Sequence, residues 1–316
     1  MSTIELNQFI RETAQDLGFS KLGIAPATPE QQSTNRLDSW LTKGYHSTMY
    51  WMGKRADERG DIGKYYPEAK SVISLGLNYF TGNVSSEPDV GKISNYAWGD
   101  DYHDIIKSRL YQLLGEIKSK FPKINGIACV DTSPIMEKDW AQKAGIGWIG
   151  KHTNLITRDY GSWIFLSELL LDVELEYDTP FDEDLCGTCT ACLDACPTDA
   201  FPEPYVLDSN KCISYLTIEH RGELPTELDD KLTGWIYGCD ICQEVCPWNI
   251  KFSQLSTENS FQPRENLQER PISQWKKLTE EDFRILFKKS AVKRTKYSGL
   301  KRNISVIEKN NTNNLN

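Results

Sequence analysis

Eight of the nine cysteines fall in one stretch, Cys186–Cys246, as a run of four, a single cysteine and a run of three. The first run reads Cys186-Gly-Thr-Cys189-Thr-Ala-Cys192-Leu-Asp-Ala-Cys196-Pro197, which is the spacing C-x2-C-x2-C-x3-C-P. Thiolates at this spacing hold a [4Fe–4S] cube. The second run, Cys239-Asp-Ile-Cys242-Gln-Glu-Val-Cys246-Pro247, is one thiolate short, and Cys212 between the runs can supply it. The stretch therefore predicts two complete clusters.

In ferredoxins with two clusters, the fourth cysteine of each run binds the other cluster. The predicted ligands are accordingly Cys186, Cys189, Cys192 and Cys246 for one cube, and Cys196, Cys212, Cys239 and Cys242 for the other. Zinc accepts C-x2-C pairs, but a third cysteine at x2 and a fourth at x3 before proline is cluster spacing. A disulfide framework is typical of short secreted chains. Cys129 lies in an apolar run and is expected to be a buried small hydrophobe.

Composition and the N-terminus indicate a globular protein that stays in the cytoplasm. The 316 residues are 39% apolar and 26% charged, which is ordinary for globular domains and enough for about two of them. No apolar run reaches the roughly 18 residues of a membrane span. The start of the chain has no basic and apolar signal segment. We therefore expect cytoplasmic clusters and no membrane partner.

A local basic stretch contrasts with the net charge of −9. Between Arg284 and Arg302 there are only basic charges, which are Arg284, Lys288, Lys289, Lys293, Arg294, Lys296, Lys301 and Arg302. Such a stretch can form a phosphate-binding patch on an otherwise acidic protein. It can equally be a solvated helix face, and the residues alone favour this second interpretation slightly.

Hydrophobic periodicity divides the chain into four parts: an α/β (α+β) domain over 1–177, the cysteine module over 178–252, a short helical basic region over 253–308 and a disordered tail over 309–316. Helices are predicted over 3–18, 28–43 and 101–121, and strands over 20–25, 72–80, 124–130 and 163–173. Ser133 is expected to cap a further helix with Pro134 at its first position. Helix–strand alternation predicts an α/β sheet, in which ligands bind beyond the carboxyl ends of the strands. Asn78 and Asp131 lie at such ends.

Several motifs flank the cysteines in a fixed order. They are Tyr96-Ala-Trp-Gly-Asp-Asp-Tyr102-His103, Val130-Asp131-Thr-Ser-Pro, Ala144-Gly-Ile-Gly-Trp-Ile-Gly-Lys151-His-Thr-Asn154, Gly161-Ser-Trp and Ser290-Ala-Val-Lys293-Arg294-Thr-Lys-Tyr-Ser-Gly-Leu-Lys-Arg302-Asn303. The combination resembles the epoxyqueuosine reductases, cobalamin-dependent iron–sulfur enzymes that complete queuosine in tRNA. The resemblance implies a cobalamin domain related in fold to reductive dehalogenases, with cobalamin bound base-off. It further implies that electrons pass through both cubes to cobalt for removal of the epoxide oxygen.

The resemblance makes Asp131 the proton donor of this reaction. An ordinary aspartate in an Asp-Thr-Ser-Pro turn is ionised and bonds backbone N–H groups. We therefore expect burial to raise the pKa of Asp131 if it acts as an acid near neutral pH.

The resemblance also suggests contacts to cobalamin. The glycine-rich segment Gly145–Gly150 lacks a Walker ending and lets backbone approach a flat macrocycle. The expected contacts are Arg59, Tyr102, Asp131, Lys151, His152, Asn154, Ser214, Tyr215 and Thr217. His103 begins an Asp-x-His-x-x pattern that has Ile106 in place of the glycine of cobalt-ligating motifs, so no histidine ligand is expected.

For the basic stretch, the resemblance implies phosphate contacts with a tRNA anticodon stem-loop by Lys293, Arg294, Lys296, Lys301 and Arg302. The expected partners are tRNA carrying epoxyqueuosine and a low-potential electron donor, with the chain acting as a monomer. Family members often continue into helical HEAT-like repeats, for which this sequence has no room after Asn303. Two other interpretations stay open: an electron-transfer subunit without cobalamin, and a dehalogenase relative acting on a small molecule.

Overall fold

The structure, a computed structural model, describes residues 3–29, 31–85, 87 and 89–313. Up to residue 171, helices and strands alternate as the periodicity predicts. The elements of this part are α1 (Thr3–Asp16), β1 (Lys21–Pro26), α2 (Gln31–Thr42), α3 (Trp51–Lys54), α4 (Ala56–Gly60), α5 (Ile62–Tyr65), β2 (Ser71–Asn78), β3 (Lys92–Ile93), α6 (Tyr102–Lys120), β4 (Gly126–Cys129), α7 (Glu137–Lys143), β5 (Trp148–Ile149), β6 (Leu155–Ile156) and β7 (Ile164–Leu171).

The rest of the chain consists of short helices and one strand, followed by a long final helix. These elements are α8 (Ala191–Asp194), α9 (Ile213–Ile218), β8 (Trp235–Tyr237), α10 (Ile241–Glu244), α11 (Pro247–Phe252), α12 (Ile272–Trp275), α13 (Glu280–Leu286) and α14 (Lys296–Asn313). Thr279 caps α13 in a capping box with Asp282, which confirms the helix start predicted from Thr279-Glu-Glu-Asp.

The main sheet has the strand order β1-β2-β7-β4, and every neighbouring pair is antiparallel. The domain is therefore of the α+β kind and lacks the parallel sheet that the helix–strand alternation predicts. Because β7 is antiparallel to both β2 and β4, those two strands nevertheless run in the same direction. Asn78 and Asp131 consequently follow strands that end towards the same edge of the sheet.

Strand β7 separates two packing layers because its side chains alternate between the faces of the sheet. Phe165, Leu169 and Leu171 belong to the core that includes α1 and α6. On the opposite face, Leu170 packs with Cys129 and with Trp140 of α7. Cys129 is 1% exposed, which confirms its prediction as a buried residue. The loop between β4 and α7 thus leaves the sheet on the α7 side.

A second core joins the cysteine module to the C-terminal region. Strand β3 pairs in parallel with β8, and Trp98 packs in the same cluster as Trp235, Trp275 and Ile304. The segments predicted as 178–252 and 253–308 therefore share one hydrophobic core.

Two predicted details differ in the structure. Helix α7 begins at Glu137 rather than near Pro134, because residues from Asp131 to Met136 form an irregular loop. Helix α14 continues to Asn313, into the segment expected to be disordered, while 314–316 lie outside the described residues. Within the described ranges, no helix combines the length and apolarity needed to cross a membrane.

Candidate active site and metal-binding cysteines

The first group of cysteine thiols comes from both cysteine runs. Burial raises the pKa of the Cys192 thiol to about 11, and the neighbouring thiols that raise it further are Cys246, Cys186 and Cys189. Cys246 lies at the start of α11, where it packs with Trp148 and Trp248. These four cysteines are the set that the spacing predicts for one cube. In the absence of metal, burial and mutual repulsion favour the protonated thiols, and iron reverses this preference by binding thiolates.

The second group contains the cysteine of the insertion. Burial raises the pKa of Cys239 well above its ordinary value, and the charges of Cys242 and Cys212 add to this effect. Burial also raises the pKa of Cys212, whose neighbours include Cys196. The structure therefore brings Cys196, Cys212, Cys239 and Cys242 together, with Cys196 drawn from the first run. All nine cysteines are free thiols.

A cavity of about 1710 Å³ opens beside these groups. It is larger than ordinary small-ligand pockets, which are about 300–1,000 Å³. Its wall includes Tyr237, two residues before Cys239, and Asp184, whose Oδ1 accepts a 2.9 Å hydrogen bond from the N–H of Cys186. Each cysteine group thus has a member two residues along the chain from the cavity wall, although no cysteine is among the described residues that line it.

Asp131 lies on the cavity wall and is held by two side chains from the start of α6. The Tyr102 hydroxyl donates to Asp131 Oδ2 at 3.0 Å, and His103 Nε2 lies 2.7 Å from the same oxygen. His103 Nδ1 lies 2.6 Å from Oδ1 of Asp101, which caps the helix by accepting the His103 N–H. The Tyr102 ring stacks on Phe165 of β7 at a centroid distance of 4.1 Å. The sheet therefore fixes the position of the groups that hold Asp131.

The pKa of Asp131 is lowered, whereas the sequence led us to expect a raised value. The hydrogen bond from His103 lowers the pKa of Asp131 and outweighs burial, which raises it; the His103 charge and the Tyr102 hydrogen bond lower it further. Burial opposes a charge on His103, but its hydrogen bonds to Asp101 and Asp131 prevail and raise its pKa to about 9. The Asp131 side chain is 54% exposed, yet its exposed surface faces the cavity and protein surrounds it at longer range. The expected upward shift of the Asp131 pKa is thus wrong for this structure, and the proton resides on His103.

The backbone of Asp131 is in the left-handed region, with φ of 50°. Aspartate adopts this conformation more readily than most residues. The N–H of Asp131 donates to Oε1 of Glu137 at 2.6 Å, which fixes the loop from the side of α7. Sequence reasoning missed both His103 and Glu137 as site residues. The Asp101-x-His103 spacing at a helix start is the signal that could have indicated His103, since it lets one carboxylate bind both the N–H and the ring.

Arg59, for which the resemblance implies a contact with cobalamin, also lines the cavity. Its Nε atom is buried without a hydrogen-bond acceptor, and burial lowers the pKa of the guanidinium. A buried, unpartnered donor in a cavity wall is a suitable partner for a polar group of a bound molecule.

The three cobalamin contacts predicted after Gly150 are not among the described residues that line the cavity. Lys151 Nζ donates to the carbonyl oxygens of Gly187 and Cys189 at 2.6 and 2.9 Å, so it supports the loop of the first cysteine run. His152 is 3% exposed, and burial lowers its pKa to about 4. The N–H of Asn154 donates to His152 Nδ1 at 3.2 Å, which closes a turn. In the part of the chain that the structure describes, the cavity is instead lined near here by Trp148, Ile149 and Thr153.

Ser214, Tyr215 and Thr217 are likewise absent from the described residues of the cavity wall. The backbone N–H groups of Ser214 and Tyr215 bond the sulfur of Cys212. The Tyr215 hydroxyl lies 2.6 Å from Oγ1 of Thr48, and Thr217 is fully buried between α9 and β8. These residues therefore stabilise the second cysteine group rather than the cavity surface.

The mouth of the cavity carries part of the basic stretch. Lys293 and Arg294 line it, and the guanidinium of Arg294 lies 5.4 Å from the centroid of the Trp51 ring. Arg294 also makes two 2.8 Å bonds to the carboxylate of Glu219. Trp51 is 41% exposed, so its ring and the arginine present an aromatic and cationic surface at the opening.

Arg302 has a different role from the predicted phosphate contact. Its guanidinium donates to the carbonyl oxygens of Leu216, His220 and Gly222 and to Oδ1 of Asn303. These bonds use all five N–H donors of the side chain. Arg302 therefore ties α14 to the segment after α9 and has no donor left for RNA. Lys301 Nζ donates to the carbonyl oxygen of Lys276 at 2.6 Å and is otherwise exposed.

Comparison with known proteins agrees with this site. The family models "Epoxyqueuosine reductase QueG, DUF1730" and "4Fe-4S double cluster binding domain" match residues 59–132 and 185–249. The epoxyqueuosine reductase of Cyclobacterium marinum is 45% identical over 98% of this chain and 99% of its own. That of Escherichia coli is 40% identical over 96% of this chain and 80% of its own.

Solved structures show the same fold. The crystal structure of an epoxyqueuosine reductase with an epoxyqueuosine-modified tRNA-Tyr stem loop has a TM-score of 0.91, with 29% identity over 98% of this chain and 82% of that chain. A structure of the Bacillus subtilis enzyme, with its catalytic aspartate loop swung out of the active site, has a TM-score of 0.89 at 28% identity over the same shares of the two chains. The cluster-binding domain and the cavity thus define an iron–sulfur oxidoreductase. More specifically, the chain belongs to the epoxyqueuosine reductase family.

Proposed function

We propose that this chain reduces epoxyqueuosine to queuosine at the wobble position of tRNA anticodons. The epoxide oxygen leaves as water, so each turnover consumes two electrons and two protons and forms one alkene. The two cysteine groups would hold two [4Fe–4S] clusters, which would supply the electrons from a low-potential donor. The observation that carries the proposal is Asp131, held by His103 and Tyr102 in the wall of a large cavity.

Residues of this chain deliver a proton to the departing oxygen. With a pKa of about 9, His103 is protonated at neutral pH and holds its proton on Nε2, 2.7 Å from Asp131 Oδ2. When the departing substrate oxygen lies close to Asp131, the proton passes from His103 Nε2 to Asp131 Oδ2 and from there to that oxygen. Asp101, bound to the other ring nitrogen, stabilises the imidazolium beforehand. Asp131 therefore acts as the donor to the substrate, while His103 stores the proton.

The cavity fits a large polar cofactor, which we propose is cobalamin. Its volume exceeds that of ordinary small-ligand pockets, and the buried Nε of Arg59 lacks an acceptor that a corrin amide would provide. Arg59 and Tyr102 would hold the cofactor. When bound, cobalamin supplies the low-potential cobalt reductant of the reaction. Both nitrogens of His103 are already bonded to carboxylates, which supports a base-off form without a histidine ligand.

The mouth of the cavity suits a nucleotide that is turned out of an anticodon loop, as chemistry on a base requires. The exposed Trp51 ring and Arg294 can stack on bases, and Lys293, Lys296 and Lys301 supply positive charge for phosphates. We further propose that the protein acts as a cytoplasmic monomer.

Reconstitution tests the proposal. The protein would be purified anaerobically, loaded with iron, sulfide and cobalamin, and given a low-potential reductant with an anticodon stem-loop that carries epoxyqueuosine. We expect tight corrinoid binding by absorbance and a product lacking one oxygen atom by mass spectrometry. An EPR spectrum of the cob(II)alamin form without nitrogen splitting would support the absence of a histidine ligand.

Asp131→Asn is the matched variant, because it keeps the size of the side chain and one acceptor oxygen while abolishing its carboxylate. It should retain clusters and cobalamin but lose most of its reductase activity. Intact clusters without any corrinoid binding by the wild type would contradict the proposal and favour an electron carrier.

A further inference from the structure

The carboxyl group of Glu137 lies directly behind Asp131. Glu137 is the first residue of α7, and its side chain lines the cavity. Its Oε1 accepts the N–H of Asp131 at 2.6 Å, which stabilises the left-handed conformation of that residue. Because this bond occupies Oε1, a proton on Glu137 resides on Oε2.

A second carboxyl group faces Glu137 from the sheet. Glu168 pairs in register with Cys129 on one side and Ser74 on the other, on the sheet face against which α7 packs. It is fully buried, with only a 3.4 Å bond from Ser74 Oγ to Oε1, and Oε2 has no partner. Glu137 therefore lies between the carboxylate of Asp131 and a buried acid.

The cations near Glu137 do not neutralise it. Lys138 is adjacent in sequence, but its Nζ donates to the carbonyl oxygen of Thr153 at 2.8 Å. Arg59 on α4 and His103 on α6 act on Glu137 only at longer range, and Tyr102 and Cys129 are the other titratable groups that face it. Burial and, after it, the charge of Asp131 raise the pKa of Glu137 to about 8, although the hydrogen bond from the Asp131 N–H and the charges of Lys138 and His103 lower it. Glu137 is consequently protonated at neutral pH.

The reaction needs two protons, and His103 stores only one beside Asp131. We propose that Glu137 is a positioning residue that also holds the second proton: its Oε1 fixes the Asp131 loop, and its Oε2 proton restores the proton that Asp131 delivers. This inference rests on the proposed function. In the step, the O–H bond of Glu137 breaks, an O–H bond forms on the Asp131 carboxylate, and the Glu137 carboxylate regains a proton from solvent in the cavity. No electrons move.

Two substitutions separate positioning from proton storage. Glu137→Gln keeps an Oε1 acceptor for the Asp131 N–H but cannot release a proton, whereas Glu137→Ala removes both functions. Glu116→Gln is the control, because Glu116 is exposed on α6 and is not among the described residues of the cavity wall. All three would be loaded with clusters and cobalamin and compared with the wild type.

Multiple-turnover rates against pH test proton storage. In the wild type and Glu116→Gln, kcat should fall as pH rises through about 8, where Glu137 loses its proton. Glu137→Gln should lower kcat at neutral pH about tenfold or more, because general acids contribute on this scale or above. Its remaining alkaline decline should move towards about pH 9, the pKa of His103. A wild-type rate and pH profile in Glu137→Gln would overturn proton storage.

Hydrogen exchange of the Asp131 amide tests positioning without any activity measurement. The amide should be protected in the wild type and in Glu137→Gln, and should exchange at least tenfold faster in Glu137→Ala. Equal protection in all three would overturn the positioning role.

Melting temperature against pH gives a second measurement that does not depend on activity. Between the ordinary pKa of 4.5 and about 8, Glu137 keeps its proton in the folded protein and loses it in the unfolded chain. The free energy of unfolding of the wild type therefore falls as pH rises through this range. Glu137→Gln lacks this loss, and its advantage should grow as pH rises. A wild type that reduces no epoxyqueuosine would refute the proposed function, and exchange and melting would still decide where Glu137 lies and whether it is protonated.

Discussion

His103 Nε2 lies 2.7 Å from Asp131 Oδ2, while Nδ1 of the same ring lies 2.6 Å from Oδ1 of Asp101. One imidazole thus bridges two carboxylates and is most stable as a cation. Its pKa of about 9 exceeds the ordinary value of 6.5, so the ion pairs stabilise the fold fully below about pH 6.5, and this contribution is lost as pH rises through about 9. The proton needed for chemistry is therefore stored on a residue for which the sequence predicted only that it does not bind cobalt.

Replacing His103 by glutamine should remove this stored proton. A glutamine can still donate a hydrogen bond to Asp131, so the loop should keep its position, while the single-turnover rate should fall about 100-fold. The measurement is the rate of epoxide reduction from about pH 6 to about pH 10. The variant should lose the part of the wild-type decline that falls near pH 9, while the decline through about pH 8, which belongs to Glu137, should remain.

His220→Gln is the matched control, because His220 binds the carbonyl oxygen of Glu223 and is not among the described residues of the cavity wall. An unchanged rate in His103→Gln would show that the proton comes from elsewhere.

Cys212→Ser should remove one cluster and leave the other. Cys212 lies in the group with Cys196, Cys239 and Cys242, and serine is a poor ligand for iron. We expect the iron content of the reconstituted protein to fall by about half, with the remaining cluster visible by EPR. Cys129→Ser is the control, because Cys129 is buried on β4 apart from both groups and should keep its full iron content. Full iron in Cys212→Ser would contradict the assignment.

Arg302→Lys should destabilise the protein without weakening its affinity for RNA. A lysine has three donors on one atom and cannot bond the carbonyl oxygens of Leu216, His220 and Gly222 together with Asn303. Leaving such acceptors without partners should cost about 2 kcal/mol and lower the melting temperature by several degrees. Lys301→Ala, at the preceding position, should change the melting temperature little. A marked loss of RNA affinity at unchanged stability would contradict this prediction and indicate that Arg302 contacts RNA.

Prediction from sequence was most successful where spacing or periodicity determines the structure. The cysteine spacing predicts which thiols meet, because each ligand position in a cube is tied to its neighbours along the chain. The start of α13 follows from Thr279 and Asp282, because the side chain of each residue accepts a hydrogen bond from the backbone N–H of the other. The helix signal lies within a few residues, and the cysteine signal lies in the spacing within each run.

The site residues were harder to predict because their roles depend on contacts between distant segments. Lys151 and Arg302 look like free cations in the sequence, and only the carbonyl oxygens that surround them reveal a structural role. The protonation of Asp131 depends on His103, which is 28 residues away. Periodicity also did not reveal that β7 lies between β2 and β4, since strand order depends on long-range pairing.

Lys293 at the cavity mouth and Lys296, an exposed residue three positions later, give a prediction about salt. Lys293→Ala with Lys296→Ala should weaken binding of the anticodon stem-loop and make log Kd less steep against log salt, by about 0.7–0.9 for each phosphate that the protein no longer neutralises. Arg294→Ala should weaken binding with a smaller change in slope, because its guanidinium is already paired with Glu219 and stacked near Trp51.

Fluorescence anisotropy at several salt concentrations measures both effects. The control is Lys118→Ala, on α6 about 22 Å along the helix from His103, which removes a positive charge far from the mouth. If the lysine pair and the control give the same slope as the wild type, the phosphate-binding residues lie on another surface. Clusters should stay intact throughout, because neither lysine of the pair is near a cysteine in sequence, so a changed slope reports on RNA binding alone.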